Sequence, residues 1–228
     1  MIASVHIADV GPGRALRVLR RAPSAPGLRN AQVALTAALG GSVRPSPDLG
    51  RAALIAFWDD DAALDGFLAT HPLATTMGAG WSVRLAPLRV FGSWPGLPDD
   101  LPRARKVEHE GPAVVLTFGR LRVSQTIRFL RTTNKAENRV VGAPGLIFAT
   151  GMARPPFVAT CSLWESSETL SAYAYGSDRP AHPDAIAADR VKPFHHQQAF
   201  IRFRPYASQG SLAGRNPLPA AWMAPANS

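Results

Sequence analysis

The six histidines are the residues of this chain best suited to proton transfer or metal ligation, because imidazole titrates near neutral pH and binds transition metals. His195 and His196 are adjacent, so their rings point to opposite faces in a strand and to solvent in a loop. His71 and His182 hold equivalent places, since each follows a helix that comes after a tryptophan-containing strand. His182 also precedes a segment, 183–190, that predicts a helix beginning at a proline. The pattern favours His182 for chemistry, with a purely structural histidine as the alternative.

The other reactive residue types indicate structural roles. His6 falls in a predicted strand and His109 in a charged connecting segment, where packing and solvation are the expected roles. The acidic run 59–61 lacks the spaced glycine and glutamate of an EF-hand loop and is typical of a helix N-terminus. Cys161 is the single cysteine, which excludes an internal disulfide and a CxxC metal site, and we expect it in the core. GxSxG, GxxxxGK[ST], HExxH and complete dinucleotide-binding glycine motifs are absent, so hydrolase, kinase and nicotinamide-dependent functions lack support.

The elements that must position the histidines are encoded twice. Three segments recur in the same order: APGL at 25–28 returns at 143–146, AFWD at 56–59 corresponds to SLWE at 162–165, and VRLAP at 83–87 corresponds to IRFRP at 201–205. The first and third matches share an offset of 118 and the second has an offset of 106, so the copies differ in loop length. A repeat of this length predicts a duplicated structural unit.

Each copy predicts the element order βαββαβ. In the second copy, apolar and β-branched runs predict strands at 113–118, 146–150, 157–164 and 198–206. Helices are predicted at 124–138, with Ser124 as a cap, and after Ser166 or Ser167. The first copy has strands at 2–8, 28–39, 53–58 and 81–90, and helices at 14–21 and 61–70.

A ferredoxin-like βαββαβ unit leaves one apolar sheet face uncovered, and a second copy can bury that face. We therefore predict an α+β fold in which tandem ferredoxin-like repeats form a pseudo-dimeric α+β barrel. The expected boundaries are a first half over 1–96, a linker over 97–111, a second half with the active site over 112–208, and a C-terminal tail over 209–228. The tail is rich in Gly, Pro and Ala, so we expect it to wrap the surface or to be partly mobile.

Composition narrows the class of protein further. Hydrophobic residues make up 46% of the chain and charged residues 18%, which is typical of a globular protein. The apolar runs are far shorter than the roughly 18 residues of a membrane-spanning helix, and the N-terminus does not resemble a secretory signal. With one cysteine, a cytoplasmic location is expected. The net charge of +9 comes from scattered arginines rather than a basic cluster, so a nucleic-acid partner is not predicted.

The second copy carries a more specific pattern: FVATCSLWESSETLSAYAYG at 157–176, then His182, then QAFIRFRPY at 198–206 and GSLAGRNPL at 210–218. These segments resemble the spheroidene monooxygenase family of carotenoid ketolases. The resemblance covers most of the chain and is strongest over 117–218. It agrees with the duplication, because such proteins are similar to the larger group of dimeric α+β barrels.

The resemblance implies a b-type haem (iron protoporphyrin IX), O2 as co-substrate, and a histidine of the C-terminal half as axial ligand. His182 is the matching position, and His195 and His196 remain alternatives. A porphyrin also needs cations for its propionates and an apolar slot. The candidate cations are Arg128, Arg131, Lys135 and Arg139, and the candidate walls are Trp164, Tyr173, Phe194 and Phe200. The competing interpretation of the cations is a solvated helix face, and that of the aromatic residues is ordinary core packing.

We expect a haem-dependent, monooxygenase-like oxidoreductase that acts on a small apolar substrate and draws on an external electron donor. The alternatives are a haem enzyme of altered, dehydratase-like reactivity, a cofactor-free ligand-binding or stress-response barrel, and a cofactor-independent oxygenase. For a long carotenoid substrate, an apolar entrance and the net charge of +9 would favour peripheral contact with an anionic membrane. The sequence does not indicate the oligomeric state.

Overall fold

Eight antiparallel strands close into one barrel in the computed structural model, which describes residues 1–20, 22–39, 47–104, 107–129, 140–175 and 193–218. The first four strands are β1 (Ile2–Asp9), β2 (Leu28–Ala37), β3 (Pro47–Trp58) and β4 (Trp81–Gly92). The second four are β5 (Ala113–Leu121), β6 (Leu146–Arg154), β7 (Phe157–Trp164) and β8 (His195–Gly210). The helices are α1 (Pro12–Val18), α2 (Asp61–Thr70), α3 (Pro72–Met77) and α4 (Ser167–Tyr175).

The strand order around the barrel shows two equivalent halves. It runs β4-β1-β3-β2 in the first half and β8-β5-β7-β6 in the second, which is the ferredoxin-like order twice. The halves join at two symmetric edges, β2 with β6 and β4 with β8. The predicted α+β class and pseudo-dimeric barrel are therefore confirmed. The two sheets meet edge to edge as well as across the interior.

The duplication also appears in backbone detail at the turns before β2 and β6. Gly27 and Gly145 both have positive φ, 70° and 76°, a conformation that side-chain-bearing residues rarely adopt. The N–H of Asp59 donates to the carbonyl of Gly27 at 2.8 Å, and the N–H of Glu165 donates to that of Gly145 at 2.8 Å. Each glycine therefore fixes the same link between a turn and the end of a tryptophan-containing strand.

The barrel interior is a packed core. The ring of Trp94, just after β4, stacks on Phe118 with centroids 5.2 Å apart and lies 5.6 Å from Phe157. Leu212 and Leu218, after β8, are buried in the same cluster. The described part of the tail, 209–218, is therefore anchored to the core by these two leucines, while residues 209–211 and 213–215 are exposed. Burial of the two leucines holds this otherwise exposed segment against the end of the barrel.

Several element boundaries differ from the sequence prediction. A 3-10 turn, Val123–Gln125, precedes helical residues 126–129, and the rest of the predicted helix lies outside the described residues, as does the helix predicted at 183–190. The sequence missed α3, which is too short for helical periodicity. The cap of α4 is confirmed, because the N–H of Thr169 donates to Ser166 Oγ at 3.1 Å. No helix within the described ranges is long and apolar enough to cross a bilayer.

A buried polar triad lies on the outer face of the first sheet. Trp58 Nε1 donates to Ser4 Oγ at 2.9 Å, and Ser4 Oγ is 3.0 Å from His6 Nε2. Burial, with a smaller contribution from the Arg84 charge, lowers the pKa of His6 to about 4. His6 is therefore a neutral, hydrogen-bonded structural residue, as the sequence predicted.

This burial makes stability depend on pH. Below pH 6.5 the unfolded chain binds a proton on His6 while the folded chain does not, so the free energy of unfolding falls as pH falls towards 4. Between pH 7 and pH 5 we expect a loss of about 2 kcal/mol from this residue. His6→Gln, which does not titrate, is expected to lose most of that dependence. Urea unfolding at both pH values measures it, and equal pH dependence in the two proteins would contradict the assignment.

Candidate functional site

The outer faces of the two half-sheets are packed differently. In the first half, β3 turns four fully buried side chains towards residues of α1, α2 and α3: Ala52, Leu54, Ala56 and Trp58. At the offset of 106, β7 turns outward Val158, Thr160, Ser162 and Trp164. Of these four, only Trp164 is buried. Polar, half-buried residues therefore replace the leucine and alanine that fill the first outer face.

The neighbouring strands differ in burial in the same direction. In β1 the outward residues Ser4, His6 and Ala8 are buried, whereas Val115 and Thr117 at corresponding positions of β5 are half-buried. Most of the described residues of the second outer face are thus less buried than their counterparts in the first half. Such a face can accept a ligand without displacing a packed core.

A cleft of about 660 Å³ opens where β4 and β5 end and β8 begins. This volume falls in the usual range for small-molecule sites, roughly 300–1,000 Å³. Its polar lining consists mainly of Arg103, Arg120, His195, His196, Gln197 and Gln198. Carboxylates are absent from the described lining residues, so the cleft carries positive charge and suits an anionic group.

Two contacts hold the arginines at the cleft. The guanidinium of Arg120 lies over the ring of Trp94, 5.8 Å from its centroid. Arg103 donates a long hydrogen bond of 3.4 Å to the carbonyl of Gly92. Neither arginine pairs with a carboxylate in the described part of the chain. Both cations are therefore available to a bound anion.

The His195 ring is positioned by a glycine and two aromatic rings. It lies against Gly119, edge-on to Phe129 with centroids 5.2 Å apart and to Phe194 at 6.3 Å. The backbone N–H of Arg122 donates to the carbonyl of Phe194 at 2.8 Å, which fixes the start of β8 against the end of β5. An isolated glycine in a strand often marks such a close approach.

Gly119→Ala tests this placement. The new Cβ would lie 2.4 Å from His195 Cδ2, so the ring must move, and we expect the free energy of unfolding to fall by about 1–2 kcal/mol. In a His195→Ala background the same change should cost almost nothing. Urea unfolding of the four proteins gives the coupling energy. Equal costs in both backgrounds would show that the two residues are not in contact.

The structure does not gather the predicted aromatic walls into one cluster. Phe194 lies beside the cleft, with the Arg128 guanidinium 4.4 Å from its centroid. The rings of Trp164 and Tyr173 are 5.0 Å apart, but Trp164 pairs with the first residue of β5, whereas His195 pairs with the last. Eight residues at about 3.3 Å each separate these ends by about 26 Å. Phe200 lies between them on β8, partly exposed.

The remaining predicted site residues lie outside the described residues: His182, Arg131, Lys135 and Arg139. Their roles stay predictions. His71 has a structural role, since its Nδ1 accepts from the N–H of Leu73 at 3.1 Å and its ring stacks on Phe67 at 4.7 Å. His196 is exposed at the cleft.

The described part of the chain bears out two further expectations. Cys161 is fully buried in the core. Asp60 caps α2, accepting from the N–H of Ala63 at 2.9 Å, as the acidic run predicted.

Sequence reasoning missed Arg103 and Arg120. Arg103 belongs to the predicted linker and Arg120 to the end of a strand, and only the closure of the barrel brings them to one cleft. Gly119 carried a readable signal, because a lone glycine interrupts a β-branched and apolar run.

Comparison with known proteins agrees with the family resemblance of the sequence. A spheroidene monooxygenase of Rubrivivax gelatinosus is 32% identical over 212 residues, which cover 90% of this chain and 79% of the relative. The spheroidene monooxygenase of Rhodobacter capsulatus is 27% identical over 186 residues, covering 78% of this chain and 76% of the relative. A solved aldoxime dehydratase matches with a TM-score of 0.49 and 9% identity, covering 90% and 80% of the two chains. No protein-family model matches the chain.

An identity of 32% across both halves makes this a relationship of the whole chain rather than of one repeat. The relatives support a monooxygenase-like oxidoreductase. This chain belongs to the spheroidene monooxygenase family.

Proposed function

We propose that this protein is a haem b-dependent monooxygenase of an apolar, carotenoid-like metabolite, with the cofactor and active site in its second half. The observation that carries the proposal is the difference between the two outer faces. Leu54 is fully buried in the first half, whereas its counterpart Thr160 is half-buried, and a cleft with cationic and imidazole side chains opens beside the second sheet. The substrate class comes from the relatives, whose names specify spheroidene.

The donor set of the cleft fits an iron porphyrin. A b-type haem needs an imidazole for iron, cations for two propionates and apolar surface around the ring. His195 and His196 offer imidazoles, Arg103 and Arg120 offer guanidinium groups, and Phe194 offers an aromatic surface.

The axial ligand we propose is His182, the position that matches the family. Arg131, Lys135 and Arg139 are the corresponding propionate partners. His195 and His196 stay as alternative ligands, and they are the two histidines that the described structure places at a cleft.

Bound haem supplies the oxidising chemistry with O2. Inserting one oxygen atom of O2 into a C–H bond releases the other atom as water, which consumes two protons and two electrons from an external redox protein. The chain's own contribution is to bind and orient. Arg120, held over Trp94, can fix an anionic group at the cleft, and the aromatic edge around Phe194 limits access of water.

The cofactor-free ligand-binding barrel finds less support. Such a protein would hold its ligand inside the barrel, where Trp94, Phe118 and Phe157 are packed against one another. Space for a ligand lies instead at the barrel's end.

Turnover with isotopically labelled O2 tests the proposal. Protein reconstituted with haem, a reduced ferredoxin as donor and a carotenoid substrate should give a product that carries one labelled oxygen atom. The reaction should stop when haem or the donor is omitted. Equal turnover without haem, or a product labelled only from water, would contradict it.

A further inference from the structure

Exposed apolar side chains are concentrated around the cleft. Within the described ranges seven large apolar residues are exposed, and four of them border this region: Phe91, Val123, Ile127 and Phe200. We call these four the apolar rim. Phe91 precedes Gly92 of the cleft wall, and the rings of Phe91 and Phe200 are 6.2 Å apart across β4 and β8.

The most exposed members of the rim follow the end of β5. Val123 is 84% exposed and Ile127 is 68% exposed. They are four residues apart in a helical turn, so they lie on the same side of it. Arg122, just before them, donates through Nε to the carbonyl of His195 at 3.3 Å. Val123 and Ile127 are therefore anchored to the strand that carries the cleft histidines.

The chain around the rim is basic. Segments 113–129 and 193–202, which carry three of the four rim residues, contain four arginines and no aspartate or glutamate: Arg120, Arg122, Arg128 and Arg202.

We propose that the apolar rim docks on an anionic lipid bilayer, with the mouth of the cleft facing the membrane. The rim consists of a few separated apolar side chains among arginines, which suits insertion between lipid headgroups better than a continuous protein interface. Each arginine near an anionic surface strengthens attachment. The biological role of this docking rests on the proposed function, since an apolar substrate dissolved in the bilayer would reach the cleft from the membrane. The docking itself does not depend on that function.

Vesicle flotation tests the docking surface with the full chain. We expect the protein to bind vesicles of phosphatidylcholine and phosphatidylglycerol and to bind pure phosphatidylcholine far less. The pair Val123→Ser and Ile127→Ser should weaken the partition constant roughly tenfold or more. Arg122→Gln should weaken it about fivefold at low salt. The matched control pair, Leu16→Ser and Leu49→Ser, removes apolar residues that are 52% and 54% exposed in the first half and should leave binding unchanged.

A site-specific probe separates docking from misfolding. Cys161 is fully buried, and burial raises its pKa to about 12, so a thiol-reactive fluorophore will label only an introduced cysteine. A probe on Val123→Cys should shift to shorter emission wavelength with anionic vesicles, and one on Leu49→Cys should not.

Equal responses at the two probe positions, or equal weakening by the control pair, would overturn the proposal. A Val123→Cys signal that rises with protein concentration without vesicles would also overturn it, in favour of a contact between proteins. Because vesicle binding is measured without turnover or haem, its failure and the failure of the haem proposal are distinguishable.

Discussion

His182→Ala is expected to abolish tight haem binding, or to leave a site that added imidazole fills, whereas His71→Ala should keep the wild-type haem spectrum. His71 is engaged elsewhere, because it caps α3 and stacks on Phe67. The interval from Trp164 to His182 is 18 residues, against 13 from Trp58 to His71, so the second copy has more chain with which to admit a macrocycle. Haem titration followed by absorption spectroscopy measures both variants.

The alternatives are tested by His195→Ala and His196→Ala in the same titration. An unchanged spectrum for His182→Ala, with loss of the Soret band for either of these variants, would show that His195 or His196 is the axial ligand. His71→Ala serves as the control for a lost helix cap, which should lower the free energy of unfolding by about 1 kcal/mol without affecting haem.

Leu54→Ala is expected to lower the free energy of unfolding by about 3–4 kcal/mol, because it leaves a cavity among fully packed side chains. The matched change Thr160→Ala, at the equivalent position of β7, should cost less than about 1 kcal/mol, since Thr160 is half-buried. Urea unfolding of the haem-free variants measures both changes.

Comparable costs at the two positions would contradict the proposed difference between the outer faces. Thr160 would then lie in a core as tightly packed as that of the first half, and the second sheet would have no face to offer a cofactor. Val33→Ala, also on the packed first face, should behave like Leu54→Ala and shows that the effect belongs to the face rather than to one residue.

The repeated turn and strand patterns were sufficient to predict the barrel. Gly27 and Gly145 mark equivalent turns, and the bounds of α2 and β7 match the prediction, because capping residues and β-branched runs act locally. The core roles of Trp94 and Leu218 were not predictable in this way. Both follow the last strand of their half, and their burial depends on how the closed barrel ends are filled.

The candidate site was less predictable than the fold. Residue types suggested histidines and aromatic walls, but the register of β5 places Trp164 and Phe194 near opposite ends of one strand. Arg103 reaches the cleft from a connecting segment. Its sequence has no hydrophobic periodicity from which that position could be predicted. The distance between residues on different strands can be predicted only after the strand pairing and its register are known.

Haem titration of the purified full chain is the most direct test of the proposed haem site. We expect saturable binding of one haem per chain, with a Soret band that shifts on reduction and shifts again when CO is added. A titration that shows only the spectrum of free haem, without saturation and without a response to CO that depends on the protein, would contradict it.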